Sequence, residues 1–154
     1  MNINDIEITD CDSIGRYVAE IYRTQIMFYS KKFAKFNIGA GQYLFLLFLY
    51  RNDNITQEQL TDEVRVDKGT TARAIKKLEE EGYVIRTRKE DDKRSYNLRL
   101  TKKAHDIENE FFHVLNDWKE LISKTITKEE SDITLKVLKK IVLSDWFMKG
   151  EFEE

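Results

Sequence analysis

The chain holds 154 residues, 41% hydrophobic and 35% charged, with 26 Lys and Arg against 28 Asp and Glu and no proline. Such a chain can bury a core and form long helices, and its longest apolar run, Tyr43 to Tyr50, falls far short of the roughly 20 residues a membrane span needs. Met1 to Glu7 is acidic without a signal-peptide pattern, and the single cysteine, Cys11, excludes an intrachain disulfide, so a reducing cytoplasm is expected.

From Ser13 to Phe36, apolar residues recur at helical spacing. Ile14, Val18, Ile21 and Phe28 form one stripe, and Tyr22, Ile26, Tyr29, Phe33 and Phe36 a second. Asn37 to Gly41 breaks that helix. Gln42 to Arg51 is apolar almost all round and rich in Leu, which favours a buried helix over a strand. Asn52-Asp53-Asn54 is a turn. Thr56-Gln57-Glu58-Gln59 has the spacing of a capping box and opens a short helix to about Val64. After the connection Arg65-Val66-Asp67, Asp67 caps a helix from Lys68 to Glu81 that Gly82 ends. Helix, tight turn, helix is the helix-turn-helix order.

Two β-type runs, Tyr83 to Arg88 and Tyr96 to Leu100, flank a charged tip, Glu90 to Ser95, and read as a β-hairpin. Thr101 caps a long helix to about Lys124 with the stripe Ile107, Phe111, Val114, Leu115, Trp118, Leu121 and Ile122. A second capping box, Thr127 to Glu130, starts a last helix running through Trp146. The expected fold is mainly α with a small β-hairpin wing: a winged helix-turn-helix over 39–100, plus a helical dimerisation region over 1–38 and 101–154.

The charge is unevenly spread. Arg65 to Lys103 carries 13 basic and 7 acidic residues, a net of +6, while the rest carries 13 basic and 21 acidic, a net of −8. A basic middle in an acidic frame points to a polyanion partner, double-stranded DNA above all. In a helix-turn-helix the second helix enters the major groove. Thr71, Ile75 and Leu78 share one side of it and can pack inward. Thr70, Arg73, Ala74 and Lys77 share another, and Lys68 with the helix N-terminus adds donors for phosphate. On the hairpin, Arg86, Arg88, Lys89, Lys93, Arg94 and Arg99 crowd together. An arginine on such a loop suits the narrow minor groove, and Asp92 is placed to hold the Arg94 guanidinium. The candidate DNA contacts are Lys68, Thr70, Thr71, Arg73, Lys77, Arg86, Arg88, Asp92 and Arg94.

The stretch Ile55 to Thr101 resembles the MarR family of bacterial transcription regulators. The match lies in Leu60 and Val64, in Val66-Asp67-Lys68-Gly69-Thr70-Thr71-Ala72-Arg73, in Leu78 to Arg86, and in Asp92-Lys93-Arg94-Ser95 with Leu98 to Thr101. The family's wing signature, Asp-x-Arg, falls on Asp92 and Arg94. Gly69 and Ala72 depart from the Ser and Thr often found there. The resemblance implies a homodimer built by the first and last two helices. Independently, apolar residues near both ends (Ile3, Ile6, Ile8, Trp146, Phe147, Phe152) need burial. A two-fold dimer would meet a pseudo-palindromic operator.

Some relatives in that family bind small aromatic acids in a cleft beside the dimerisation helices. Tyr17, Tyr22, Tyr29, Tyr43 and Phe45 could line such a cleft here, although aromatic stripes of this kind are more often plain core. Peroxide sensors of the family carry a cysteine at the position of Gly15; Cys11 lies a turn earlier, so a dedicated sensor is not expected. His105 and His113 lack metal-ligand spacing, and no cofactor is expected. No nucleophile–base pair or phosphate loop marks an enzyme. The rival reading is a winged-helix protein-interaction module that does not bind DNA directly.

Overall fold

A computed structural model describes residues 13–89 and 96–150. Cys11, Asp92, Lys93, Arg94 and the terminal apolar residues Ile3, Ile6, Ile8 and Phe152 lie outside the described residues. The chain divides into two compact units, Met1–Val114 and Leu115–Glu154.

In the first unit, Ser13 opens α1 (Ile14–Phe33) by accepting the Arg16 N–H on its hydroxyl at 3.2 Å. Lys31 and Lys32 in the last turn complement the carbonyl end of the helix dipole. The chain tightens into a 3-10 turn, Ala34–Phe36, and reverses at Asn37 with φ 56°, a conformation Asn accepts more readily than most residues. The Leu-rich run is a helix, as its composition predicts: α2 (Tyr43–Arg51) buries Tyr43, Phe45, Leu46 and Leu49. Phe33 from α1 stacks on Phe111 from α5 (Lys102–Ser123) with ring centroids 4.9 Å apart, closing the core beneath α2.

Both ends of the helix-turn-helix are held by side chains. The Thr56 capping box is formed in full and starts α3 (Gln57–Val64). Arg65 then takes φ 59°, a left-handed conformation unusual for a non-glycine residue, and its N–H bonds the Thr61 carbonyl at 2.9 Å. Asp67 caps α4 (Lys68–Glu80) by accepting the Thr70 N–H at 2.8 Å. Gly82, at φ 75°, turns the chain out of α4, where a side chain would strain the backbone. Leu60, Ile75, Leu78, Val84 and Leu98 fill the interior between α3, α4 and the sheet, all essentially without solvent contact.

The wing pairs β2 (Val84–Arg88) with β3 (Tyr96–Leu100) antiparallel, Val84 opposite Leu100 and Arg88 opposite Tyr96. A strand not expected from the sequence, β1 (Ile55–Thr56), pairs with the other edge of β3, Ile55 opposite Leu98, giving the sheet order β1-β3-β2. The Asp53 carboxylate accepts the Leu100 N–H at 2.9 Å and fastens this edge.

In the second unit, the end of α5 is followed by α6 (Lys128–Val142), opened by the complete Thr127 capping box, and α7 (Asp145–Lys149). The single last helix expected through Trp146 is therefore two. Leu143 and Ser144 donate their N–H groups to the Lys139 and Ile141 carbonyls, and the Ser144 hydroxyl also donates to the Ile141 carbonyl at 2.6 Å. Ser144 itself is extended and starts α7, so α6 stops one turn before Trp146. Seven α-helices stand among the described residues, against six expected. No helix there is long and apolar enough to cross a membrane.

Candidate nucleic-acid interface

The second helix of the motif, α4, is two-faced, and the division differs from the expected one at Ala74. Thr71, Ile75 and Leu78 are buried as anticipated. Ala74, expected on the outward face, is 3% exposed and belongs to the core. Thr71, counted among the DNA contacts, is also fully buried. Its hydroxyl lies 2.9 Å from that of Thr61, and the carbonyls of Gln57 and Asp67 stand 2.8 Å from Thr61 and 3.3 Å from Thr71 to take the protons. A buried hydroxyl satisfied in this way locks α3 onto α4 and is not available to DNA. The exposed residues of α4 are Lys68, Gly69, Ala72, Arg73, Lys76, Lys77 and Glu80, with Thr70 half-buried at the edge.

These cations differ in how they are held. Lys68 lies 3.2 Å from Glu58, both well exposed, so the pair contributes little to stability. Lys77 lies 3.1 Å from Glu81 and 3.9 Å from Glu80. The Lys77 hydrogen bond, joined by the Asn37 side chain and the charges of Lys77 and Lys103, holds the Glu81 carboxyl below the usual range. Arg86, counted among the candidate DNA contacts, is braced against the motif. Its Nε donates to Glu79 at 3.0 Å and its Nη2 to Gln57 at 2.9 Å, which ties β2 to α3 and α4. Arg88 lies over the Tyr96 ring, 5.7 Å from its centroid, a cation–π contact that stiffens the wing.

Arg73 is held differently again. Its Nη2 donates to the Thr70 hydroxyl at 3.0 Å, and that hydroxyl donates to Asp67 Oδ2 at 2.6 Å. The Thr70 hydroxyl and N–H, with a smaller contribution from Arg73, hold the Asp67 carboxyl below its ordinary range. Sequence reading singled out Asp67, Thr70 and Arg73 but not this chain of bonds, and it omitted Glu79 and Gln57 as partners of Arg86. Seven and twenty-nine residues separate Arg86 from those partners, so only the folded motif brings them together.

The tyrosines expected along an effector cleft part company. Tyr29 and Tyr43 are core residues with ring centroids 4.6 Å apart, packed with Phe33, and Phe45 is buried nearby. Burial first, then the neighbouring Tyr29 and Tyr22 phenols, push the Tyr43 hydroxyl up to about 12. Tyr17 and Tyr22 stand exposed on α1. An open groove of about 500 Å³ lies elsewhere, lined by Ser30, Ala34, Asn37, Ile38, Gly39, Gln42, Lys77 and Glu81.

The model of the MarR family matches residues 38–96, the span that contains every candidate DNA contact. A MarR transcriptional regulator from Methanosarcina mazei Go1 is 38% identical, with a TM-score of 0.73; the match covers 83% of this chain and 91% of that one. The chain belongs to the MarR family. A MarR-family regulator from Listeria monocytogenes, solved in complex with a 26-mer DNA, is 26% identical at a TM-score of 0.80, over 92% of this chain and 98% of that one. BilQ, an HTH-type transcriptional regulator of Clostridioides difficile, is 25% identical over 136 residues, 88% of this chain and 89% of its own. Like these MarR-family regulators, the chain is a transcriptional regulator with a DNA-binding winged helix-turn-helix, and not an enzyme.

Proposed function

We propose that the chain acts in the cytoplasm as a homodimer that binds a pseudo-palindromic operator and is released by a small aromatic effector. The observation that carries the reading is the two-faced α4. It buries Thr71, Ala74, Ile75 and Leu78, and it turns Lys68, Arg73, Lys76 and Lys77 outward on a helix whose N-terminus is capped by Asp67. Arg94 of the wing would enter the flanking minor groove, its guanidinium held by Asp92.

The dimer is supported by apolar surface left bare in each unit. On α1, Ile14, Val18, Ile21 and Tyr22 are exposed; in the second unit, Leu138, Leu143, Trp146 and Phe147 are exposed. Patches of this kind mark an interface. A second copy would cover them through 1–38 and 101–154, leaving two copies of 39–100 to meet half-sites about one helical turn, roughly 34–36 Å, apart. The effector reading rests on exposed Tyr22, whose phenol is close enough to act on Tyr43, with Tyr17 exposed further along the same helix.

Gel shift on fragments selected from genomic DNA, with salt titration, tests the DNA reading. A slope near −0.9 per phosphate contact is expected. Arg73→Ala and Arg94→Ala are each expected to weaken binding; unchanged affinity in both would leave the protein-interaction module as the better account. For the effector, release of the selected fragment by sodium salicylate, lost in Tyr22→Ala, is expected; no release by any small aromatic acid tried would remove that part of the proposal.

A further inference from the structure

We propose that Arg73 is the base-reading residue of this regulator, and that Thr70, backed by Asp67 and given room by Gly69, aims its guanidinium at the major-groove edge of a guanine. The proposal rests on the DNA-binding reading and adds to it which contact specifies sequence and what positions it.

The bond order in the relay has one direction. An ionised Asp67 only accepts, so it takes the Thr70 hydroxyl proton at 2.6 Å and the Thr70 N–H at 2.8 Å. The Thr70 oxygen is then left with lone pairs alone, and these accept Arg73 Nη2 at 3.0 Å. Arg73 is thereby oriented through a hydroxyl, with the Asp67 carboxylate one bond further back. Lys68, Lys77 and Arg86 are instead each met directly by a glutamate (Glu58, Glu81 and Glu79). Among these four cations, Arg73 alone is fixed in place by a neutral hydroxyl, and one hydrogen bond occupies only one of the five N–H donors of a guanidinium.

Gly69 provides the room. A Cβ at that position would lie 3.1 Å from Asp67 Oδ1 and 3.3 Å from Arg73 Nη1, tighter than ordinary van der Waals contact. Any side chain there would press on both ends of the relay. Glycine is a poorer helix former than alanine, a loss set against an arginine folded back along the first turn of α4. The first turn is the part of a recognition helix that meets base edges. A planar fork of N–H groups matches the O6 and N7 acceptors of guanine, and a lysine in its place does not. The residues that pair with glutamates then serve register and backbone contact, which carry no sequence information.

The test uses the full chain and a duplex that it selects from a randomised library. Each guanine of that duplex is replaced in turn by 7-deazaguanine, which lacks the N7 acceptor. Wild type is expected to lose about tenfold or more in affinity at one guanine per half-site. In Thr70→Val that penalty, read as the ratio of the two duplexes within the one folded variant, shrinks to a few-fold; Thr70→Ser restores it. Arg73→Ala abolishes the penalty, and adding Thr70→Val changes nothing more. Thr70→Val weakening every duplex equally would mark a direct phosphate contact and overturn the relay. So would a guanine penalty that survives Arg73→Ala. If the wild-type chain enriches no duplex at all, the DNA reading itself falls, and this proposal with it.

Discussion

The two compact units are finished to different degrees. Residues 13–114 contain every fully buried side chain among the described residues, from Phe33 and Leu46 to Phe111. Residues 115–150 contain none: α6 and α7 are amphipathic and well capped, yet they bury no residue within one chain. Capping satisfies the backbone of a helix, but it cannot bury the apolar stripe that stabilises most helices in water. The difference separates a region that buries its own core from one that, in the proposed dimer, would take its burial from the second copy.

That contrast can be broken most severely at Phe111. Its ring is fully buried against Phe33, so Phe111→Ala is expected to cost about 3–5 kcal/mol, read as the loss of urea stability. A loss below about 1 kcal/mol would mean that the first unit is not the self-sufficient one. Next in size is Leu143→Glu, at an exposed apolar position of the second unit. The core of residues 13–114 should keep its protection from hydrogen exchange, while dimer dissociation measured by sedimentation rises about 10- to 100-fold, the equivalent of one buried side chain.

The two capping boxes sharpen the comparison, because their chemistry is the same and their surroundings are not. Thr56→Ala and Thr127→Ala should each cost about 1 kcal/mol. Thr127→Ala should also raise the dimer dissociation constant several-fold, and Thr56→Ala should leave it alone; equal effects on dimerisation would erase the distinction. The smallest effect is acidic. Hydrogen bonds from Thr70 hold the Asp67 carboxyl below its ordinary value, and those from Thr127 do the same for Glu130. A carboxylate depressed in the folded state stabilises above its unfolded pKa, near 4, and that contribution is lost as pH falls through the folded value. Both caps should therefore weaken only below about pH 4. Carboxyl titration by NMR should find Asp67 and Glu130 titrating below an unstructured peptide of the same sequence, and Asp67→Asn should flatten the acid limb in the first unit alone.

Much of the fold was legible because its signals are local. The threonine and glutamine or glutamate three apart, Asp67 before α4 and Gly82 after it each act within a turn of the chain. The failures share the opposite property. Ile55–Thr56 is a strand only because β3, some forty residues on, offers it an edge. Ala74 has no side chain large enough to declare a face. Thr71 carries a hydroxyl that reads as a DNA contact until Thr61, ten residues away, accounts for it. Ser144 resembles any polar position until its hydroxyl donates to the Ile141 carbonyl. In the candidate interface, residue types were readable and their pairing was not: nothing in the spacing says that Arg86 is braced by Glu79 while Arg73 hangs from a neutral hydroxyl.

Where β2 begins, the Tyr83 hydroxyl donates to the Phe36 carbonyl at 2.8 Å, and the Lys103 ammonium sits 4.4 Å over the same ring while bonding the Glu81 carbonyl. The root of the wing is thus moored by an aromatic strut to the 3-10 turn that follows α1. A shift of that turn would bear on the base of the hairpin through a side chain as well as through the intervening backbone.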